Sequence, residues 1–214
     1  MGVTKSAMKI HWRGQVGGLV GSRQYGQDTW RSLADSVNQP NTEAQLTVRA
    51  KFSVVTKAVA ALGYLYRLGY KAFIADGKGP RALFSKQLYD EAIIGNMHDG
   101  FSIDPTKVTV AKGSLTPAHS IAAAVATATH TATISWSDNS GVGDAEATDK
   151  LCVQLFNYTK QVSVTAQDLA NRAAEAASLT YPDDWVGDTM YVYVFWNGKD
   201  KGCSVSKMLG VYTA

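Results

Sequence analysis

Between Arg13 and Ser32 the chain reads RGQVGGLVGSRQYGQDTWRS, with five glycines among basic and amide side chains. A glycine run of this kind raises phosphate chemistry first, because glycine backbones can cradle phosphate oxygens. A Walker loop requires G-x-x-x-x-G-K-[ST], with a lysine reaching the terminal phosphates. Counting on from Gly14 puts Leu19 where the second glycine belongs. The dinucleotide pattern G-x-G-x-x-G would need glycines at 16, 18 and 21, and position 16 is Val. No buried strand leads into the run and no helix opens at its end, so nucleotide binding is excluded.

The other reactive types are equally scattered. No two of His11, His98, His119 and His130 are spaced to share a helix face, and only His98 has an acid beside it, Asp99. Each reads as a surface or packing residue rather than a base. No G-x-S-x-G occurs. Asp183, Asp184 and Asp188 crowd the segment YPDDWVGD without EF-hand spacing. They read as Asp side chains capping their own turn. Cys152 and Cys203 form no CxxC and no metal-spaced cluster. Alternation in DKLCVQLFN puts Leu151, Val153 and Leu155 on one strand face and Cys152 on the other, so free thiols are expected. The expectation is a protein that is not an enzyme, with no catalytic residue, no cofactor and no metal.

What remains is the basic segment itself. Trp12, Arg13, Arg23, Tyr25, Trp30 and Arg31 interleave cations with aromatics. Such residues can hold single-stranded nucleic acid by phosphate pairing and base stacking. They are also the usual anchors of subunit contacts. Lys5, Lys9, Arg13, Arg23 and Arg31 are few charges for a nucleic-acid arm, so inter-subunit contact is the preferred reading and weak nucleic-acid contact the lesser one.

The elements that must position these residues fall into three zones. Residues 1–40 form a glycine-rich basic arm that could make short strands but no core of its own. Residues 41–99 read as a helical hairpin. Thr42-x-x-Gln45 is a capping box after Pro40-Asn41. Val48, Phe52, Val55, Val59, Leu62 and Tyr66 then recur at spacings of three and four, an apolar packing stripe ended by Gly69 or the DGKGP turn. A second helix follows, with Leu83, Phe84, Leu88, Ala92 and Ile93 inward and Gly95-Asn96 as its stop. Two helices make a thin core, so a third layer must come from elsewhere.

Residues 100–214 read as an antiparallel β-sandwich of immunoglobulin or fibronectin type. Its strands are KVTVAK, TATISWS, KLCVQLFNY, QVSVTA, ASLTY, TMYVYVFWN and SVSKMLGVY. In TMYVYVFWN both faces are apolar or aromatic, which marks a central strand. Trp136 and Trp185 are expected in the core. The segment 165–178 reads as a short helical turn before ASLTY, and the Ala/Thr/Ser/His tract 117–133 as a poorly packed strand or loop. The fold class is therefore α+β: arm, helical hairpin, sandwich.

The chain has 214 residues, 45% of them hydrophobic, and a net charge of +3. Residues 1–103 hold 13 basic against seven acidic side chains, and the remainder eight against eleven. This asymmetry allows an anionic partner or attraction between the halves. No apolar stretch is long enough to cross a membrane. The opening M-G-V-T-K-S fits the myristoylation pattern, a match short enough to arise by chance. With no signal peptide either, a virion or cytoplasmic location is expected.

Specific residues also carry a resemblance. Gly14, Val16, Gly17, Val20 and Gly21, then Arg31-Ser32, Thr42 to Leu46, Arg49 and Lys51-Phe52 resemble the opening of a family of uncharacterised bacterial and phage proteins, known only as a domain of unknown function. The match is specific over residues 13–60 and looser over DDWVGDTMYVYVFW and SVSKMLGVY. The chain departs from the family pattern at Arg23-Gln24-Tyr25. The resemblance implies a helical N-terminal part, an immunoglobulin-like tail and a structural role in phage-like particles. The functional expectation is a non-enzymatic assembly subunit: a coat, connector or tail component contacting copies of itself or other structural subunits through the arm. The alternative is a surface adhesion module that recognises a glycan or protein through the sandwich, with the aromatics of 191–196 as its face.

Overall fold

Thr42 starts the first helix with half of the predicted capping box. Its Oγ1 accepts from the Gln45 N–H at 3.4 Å. The reciprocal bond is not made, and Gln45 Oε1 is buried without a hydrogen-bond partner. Asn41 instead accepts from Arg49 Nη1 at 3.1 Å. The computed structural model describes residues 2–3, 13–24, 27–36, 41–74 and 78–214.

Helix α1 (Glu43–Ala61) stops five residues before the stripe that predicted it runs out at Tyr66. Gly63 makes the break, at φ +72°, where a side chain is strained. A Cβ there would also lie 2.9 Å from Ser163 Oγ, which donates to the Ala61 carbonyl at 2.8 Å. Tyr66 therefore belongs to a separate one-turn helix, α2 (Tyr66–Gly69). The next helix, α3 (Pro80–Gln87), continues as a π-turn over Leu88–Ala92. It ends before Gly95 as expected, but Ile93–Asn96 is a strand paired with Gly100–Ile103.

Among the described residues, four sheets order the strands. In chain order the strands are β1 (Gly2–Val3), β2 (Gly14–Val16), β3 (Leu19–Gln24), β4 (Gln27–Ser32), β5 (Ile93–Asn96), β6 (Gly100–Ile103) and β7 (His119–Ala126). They continue with β8 (Thr131–Ser137), β9 (Lys150–Asn157), β10 (Val162–Ala166), β11 (Ala176–Thr180), β12 (Thr189–Gly198), β13 (Gly202–Cys203) and β14 (Lys207–Thr213). The first four form a sheet ordered β1-β4-β3-β2, and β5-β6 is a hairpin. A three-stranded sheet runs β11-β8-β7. A five-stranded sheet runs β10-β9-β12, with both β13 and β14 pairing β12.

Within the tract 117–133, residues 119–126 are the edge strand β7, irregular in register between His119 and Ala122, and 131–133 open β8. KVTVAK, by contrast, forms no strand. Its backbone is claimed by other groups: Gln87 Nε2 donates to the Lys107 carbonyl and Tyr70 Oη to that of Thr109, both at 2.8 Å. The Val110 N–H donates to Ser206 Oγ at 2.8 Å. Alternation without a neighbouring ladder makes a strap, not a strand. The turn before β11 is a short 3₁₀ segment, Arg172–Ala174, as expected.

The core lies in two layers divided by the five-stranded sheet. Leu151, Val153 and Leu155 of β9, with Met190, Val192, Val194 and Trp196 of β12, face Ala132, Ile134 and Trp136 of β8. On the other face, Cys152, Phe156, Tyr193 and Phe195 pack against Val55, Val59, Leu62, Tyr66, Phe84 and Leu88 of the helical segment. Trp136 and Trp185 are both buried as predicted. The thin helical core finds its third layer in this chain's own sheet.

That layer is shorter than α1. Val55, Val59, Leu62 and Tyr66 are buried, but Val48 and Phe52, predicted to pack, are exposed at 44% and 53%. The stripe is right about the face and wrong about how much of it is covered. No described helix is long and apolar enough to cross a membrane.

Candidate functional site: the N-terminal sheet

The glycine run folds as an antiparallel meander. Gly17-Gly18 is a two-residue hairpin joining β2 to β3, closed at Val16 and Leu19. Gly17 holds φ +56°, which such a turn asks of its first central residue. A Cβ at Gly14, Gly17 or Gly18 would meet nothing within 4 Å. These glycines are not there to admit another part of this chain.

The β3–β4 register pairs Leu19 with Ser32, Gly21 with Trp30, Ser22 with Thr29 and Arg23 with Asp28. Gly14 pairs Gly21, and Gly2 pairs Trp30. One row across the four strands therefore reads Gly2, Trp30, Gly21, Gly14. The row sets one large ring among three residues without side chains; Gly21 beside it is buried and Trp30 itself is half-buried. Val16 and Leu19 share its face by alternation and are exposed at 61% and 52%. No residue of this sheet belongs to either hydrophobic core. The apolar face has no cover among the described residues of those cores.

Of the predicted arm contacts, Arg13, Arg23, Trp30 and Arg31 lie on or beside this sheet, while Trp12 and Tyr25 lie outside the described residues. Arg13 and Arg31 are exposed and Trp30 is half-buried. Arg23 Nε lies 3.6 Å from Asp28 Oδ1. Trp30 and Arg31, adjacent on one strand, alternate between its two faces. Arg23, two positions on from the Gly21 that pairs Trp30, shares the Trp30 face, and Arg31 lies on the other.

Elsewhere, the reactive types are committed to structure. Cys152 and Cys203 are free and buried. Burial pushes their thiols up to about 12 and about 11, which suppresses the nucleophilic thiolate. His130 Nδ1 lies 2.7 Å from Asp183 Oδ1, an exposed acid that sequence spacing did not link to it. The aspartate turn is pinned by Lys160, 2.8 Å from Asp184 Oδ2 and 3.6 Å from Asp188 Oδ2. Asp188 also accepts from Asn157 Nδ2 at 2.7 Å. No group of three or more His, Cys, Asp or Glu among the described residues could hold a metal.

The residue most thoroughly missed by sequence reasoning is Arg172. It is fully buried. Its guanidinium bonds Asp149 Oδ2 at 3.0 and 3.2 Å, Asn139 Oδ1 at 2.7 Å and the Thr116 carbonyl at 2.9 Å. It also lies 4.5 Å from the centre of the Trp196 ring. Every partner is more than twenty residues away, so no local pattern announces it. With all its partners in the protein, this cation is a brace rather than a ligand site.

The class these features define is a mixed α+β protein, mostly β. Helices cover one face of a five-stranded sheet, a second sheet covers the other, and a core-free sheet stands at the N-terminus. The chain belongs to DUF6266, a family of unknown function whose model matches residues 10–210. A search of curated proteins finds no match.

Proposed function

We propose that this protein is a non-enzymatic assembly subunit whose N-terminal sheet docks on another subunit, a second copy of this chain first of all. The observation that carries the reading is the exposed pair Val16 and Leu19 on a sheet that, among the described residues, joins neither core. An apolar sheet face is stable when it is buried against another element. A partner surface supplies the missing layer. The exposed Val48 and Phe52 at the start of α1 add a second uncovered patch.

The helical hairpin no longer supports this reading, because its third layer is intramolecular. The adhesion alternative loses its surface as well. Tyr193, Phe195 and Trp196 are core residues, and Tyr191 packs against the helical core.

The finer form of the fold belongs here too. We read the two facing sheets as immunoglobulin-like. In support, the first, second and fifth strands of the sandwich (β7, β8, β11) share one sheet, and the third, sixth and seventh (β9, β12, β14) share the other. A coat, connector or tail component of a phage-like particle is the setting the family resemblance supplies.

Light scattering and negative-stain microscopy test the proposal. The full chain is expected to associate with rising concentration, and removal of residues 1–38 to leave a folded monomer. A monomer at all concentrations, unchanged by the deletion, overturns it. Absorbance at 260 nm that copurifies and leaves with salt would move the role to nucleic acid.

A further inference from the structure

The helical layer does not seal against the sheet along its whole length. Between α1, β6 and the end of β9 lies a groove of about 300 Å³. Its walls are apolar and aromatic: Ala58, Phe101, Ile103 and Phe156, with Lys57 and Tyr158 among the polar groups at its lining. That volume is the lower end of the range for small-molecule sites, and its composition fits one.

The charge arrangement is what gives the groove a chemistry. Lys57 forms no ion pair among the described residues. Lys51 stands over the ring of Phe101, 5.3 Å from its centre. No carboxylate lines the groove. The acid next to its wall is Asp104, and that carboxylate is engaged: Thr106 donates to it from N–H and Oγ1 at 3.0 and 2.6 Å, and Lys107 lies 3.8 Å away. A second hollow, under Tyr70 and Phe73, makes the contrast. It also holds lysines, but its Lys86 pairs with Asp90 and its Lys112 with Glu91. That hollow neutralises itself. The α1–β6 groove keeps its cation.

We infer that the α1–β6 groove binds an amphipathic monoanion, a carboxylate on an apolar body of about ten non-hydrogen atoms at ~30 Å³ each. The apolar body lies on Phe101, Ile103 and Phe156, and Lys57 Nζ donates to the carboxylate. Tyr158 also lines the groove and brings a phenol hydroxyl to it. This site is independent of the assembly reading, since none of its lining residues lies in the N-terminal sheet.

Decanoate is the probe, titrated into the full chain by calorimetry and followed by amide chemical shifts. Saturable one-to-one binding is expected, with shifts at residues 54–58, 101–105 and 156–161. Lys57→Gln should weaken decanoate about tenfold, the worth of one hydrogen bond to a charged group, while leaving decanol unchanged. Ser102→Phe, an exposed rim position that folding tolerates, should block both. The proposal falls if decanoate does not saturate, if decylammonium binds as well as decanoate, or if Ser102→Phe has no effect. It also falls if binding appears only after residues 1–38 are removed, because the groove would then belong to the arm.

Discussion

The pair β9–β12 and the pair β3–β4 are built by the same antiparallel ladder, and they differ in what lies on their faces. β9 and β12 are covered twice, by the helices on one side and by β8 on the other. β3 and β4 are covered by neither core. A strand buried on both faces carries large side chains at every position, as YVYVFW does. β3 carries few large side chains and spaces them with glycine. The difference in composition between the two pairs follows the difference in cover among the described residues; on the proposed assembly reading, the second layer of β3–β4 comes from another subunit.

The sharpest way to break that comparison is at the centre of the covered region. Arg172→Ala removes the guanidinium at Asp149, which is 2% exposed and would be left as a buried charge without its cation. Breaking a buried pair from one side costs about 3–5 kcal/mol. Urea unfolding should register a loss of this size. The Arg172→Met, Asp149→Leu double substitution should recover most of it, since a well-packed apolar pair can replace a buried ionic one. If the double variant is as unstable as the single one, the brace acts through something other than its charge.

How much of this was legible follows from the same contrast. β12 declares itself because burial on both faces makes its positions from Met190 to Trp196 apolar or aromatic without a break. The alternation of β9 correctly divides Leu151, Val153 and Leu155 from Cys152. Periodicity in α1 names the right face through Val55, Val59 and Leu62 but carries no information on the length of the layer opposite. Val48 and Phe52 therefore read as core and are not. KVTVAK alternates as well as any strand, yet side chains of Gln87, Tyr70 and Ser206 take its backbone groups. Arg172 leaves no trace, because Thr116, Asn139, Asp149 and Trp196 converge on it only in the fold. In the N-terminal sheet the glycine spacing excluded a phosphate loop, but only the register shows that Gly2 and Gly21 flank Trp30, with Gly14 in the same row.

A middle-sized effect separates two positions that share one stripe-like signal. Leu88 is fully buried in the helical layer and Phe52 is half exposed, its ring tilted 33° to that of Tyr89 with centres 5.0 Å apart. Leu88→Ala should cost about 2–5 kcal/mol through lost burial and the cavity left behind. Phe52→Ala should change the stability of the monomer by no more than about 0.5 kcal/mol. Thermal or urea melts at a concentration where the chain is monomeric distinguish them. Equal losses at both sites would mean that the first half of α1 is covered in solution, and would extend the covered region to the helix start.

The smallest effect on folding is the most informative about function. Val16 and Leu19 flank the Gly17-Gly18 turn, face solvent and touch neither core. Replacing both with Ser should leave the unfolding midpoint of the monomer within about 0.5 kcal/mol of the parent, as surface substitutions do. If the sheet docks on another subunit, the same double substitution should weaken association by tenfold or more. Each buried aliphatic side chain is worth about 1.5–3 kcal/mol, and ~1.4 kcal/mol is a factor of ten. Sedimentation velocity across a concentration series reads both quantities on one sample. A change in folding with no change in association would place Val16 and Leu19 against this chain's own surface, and the two sheets would then differ in degree of cover rather than in whose cover they use.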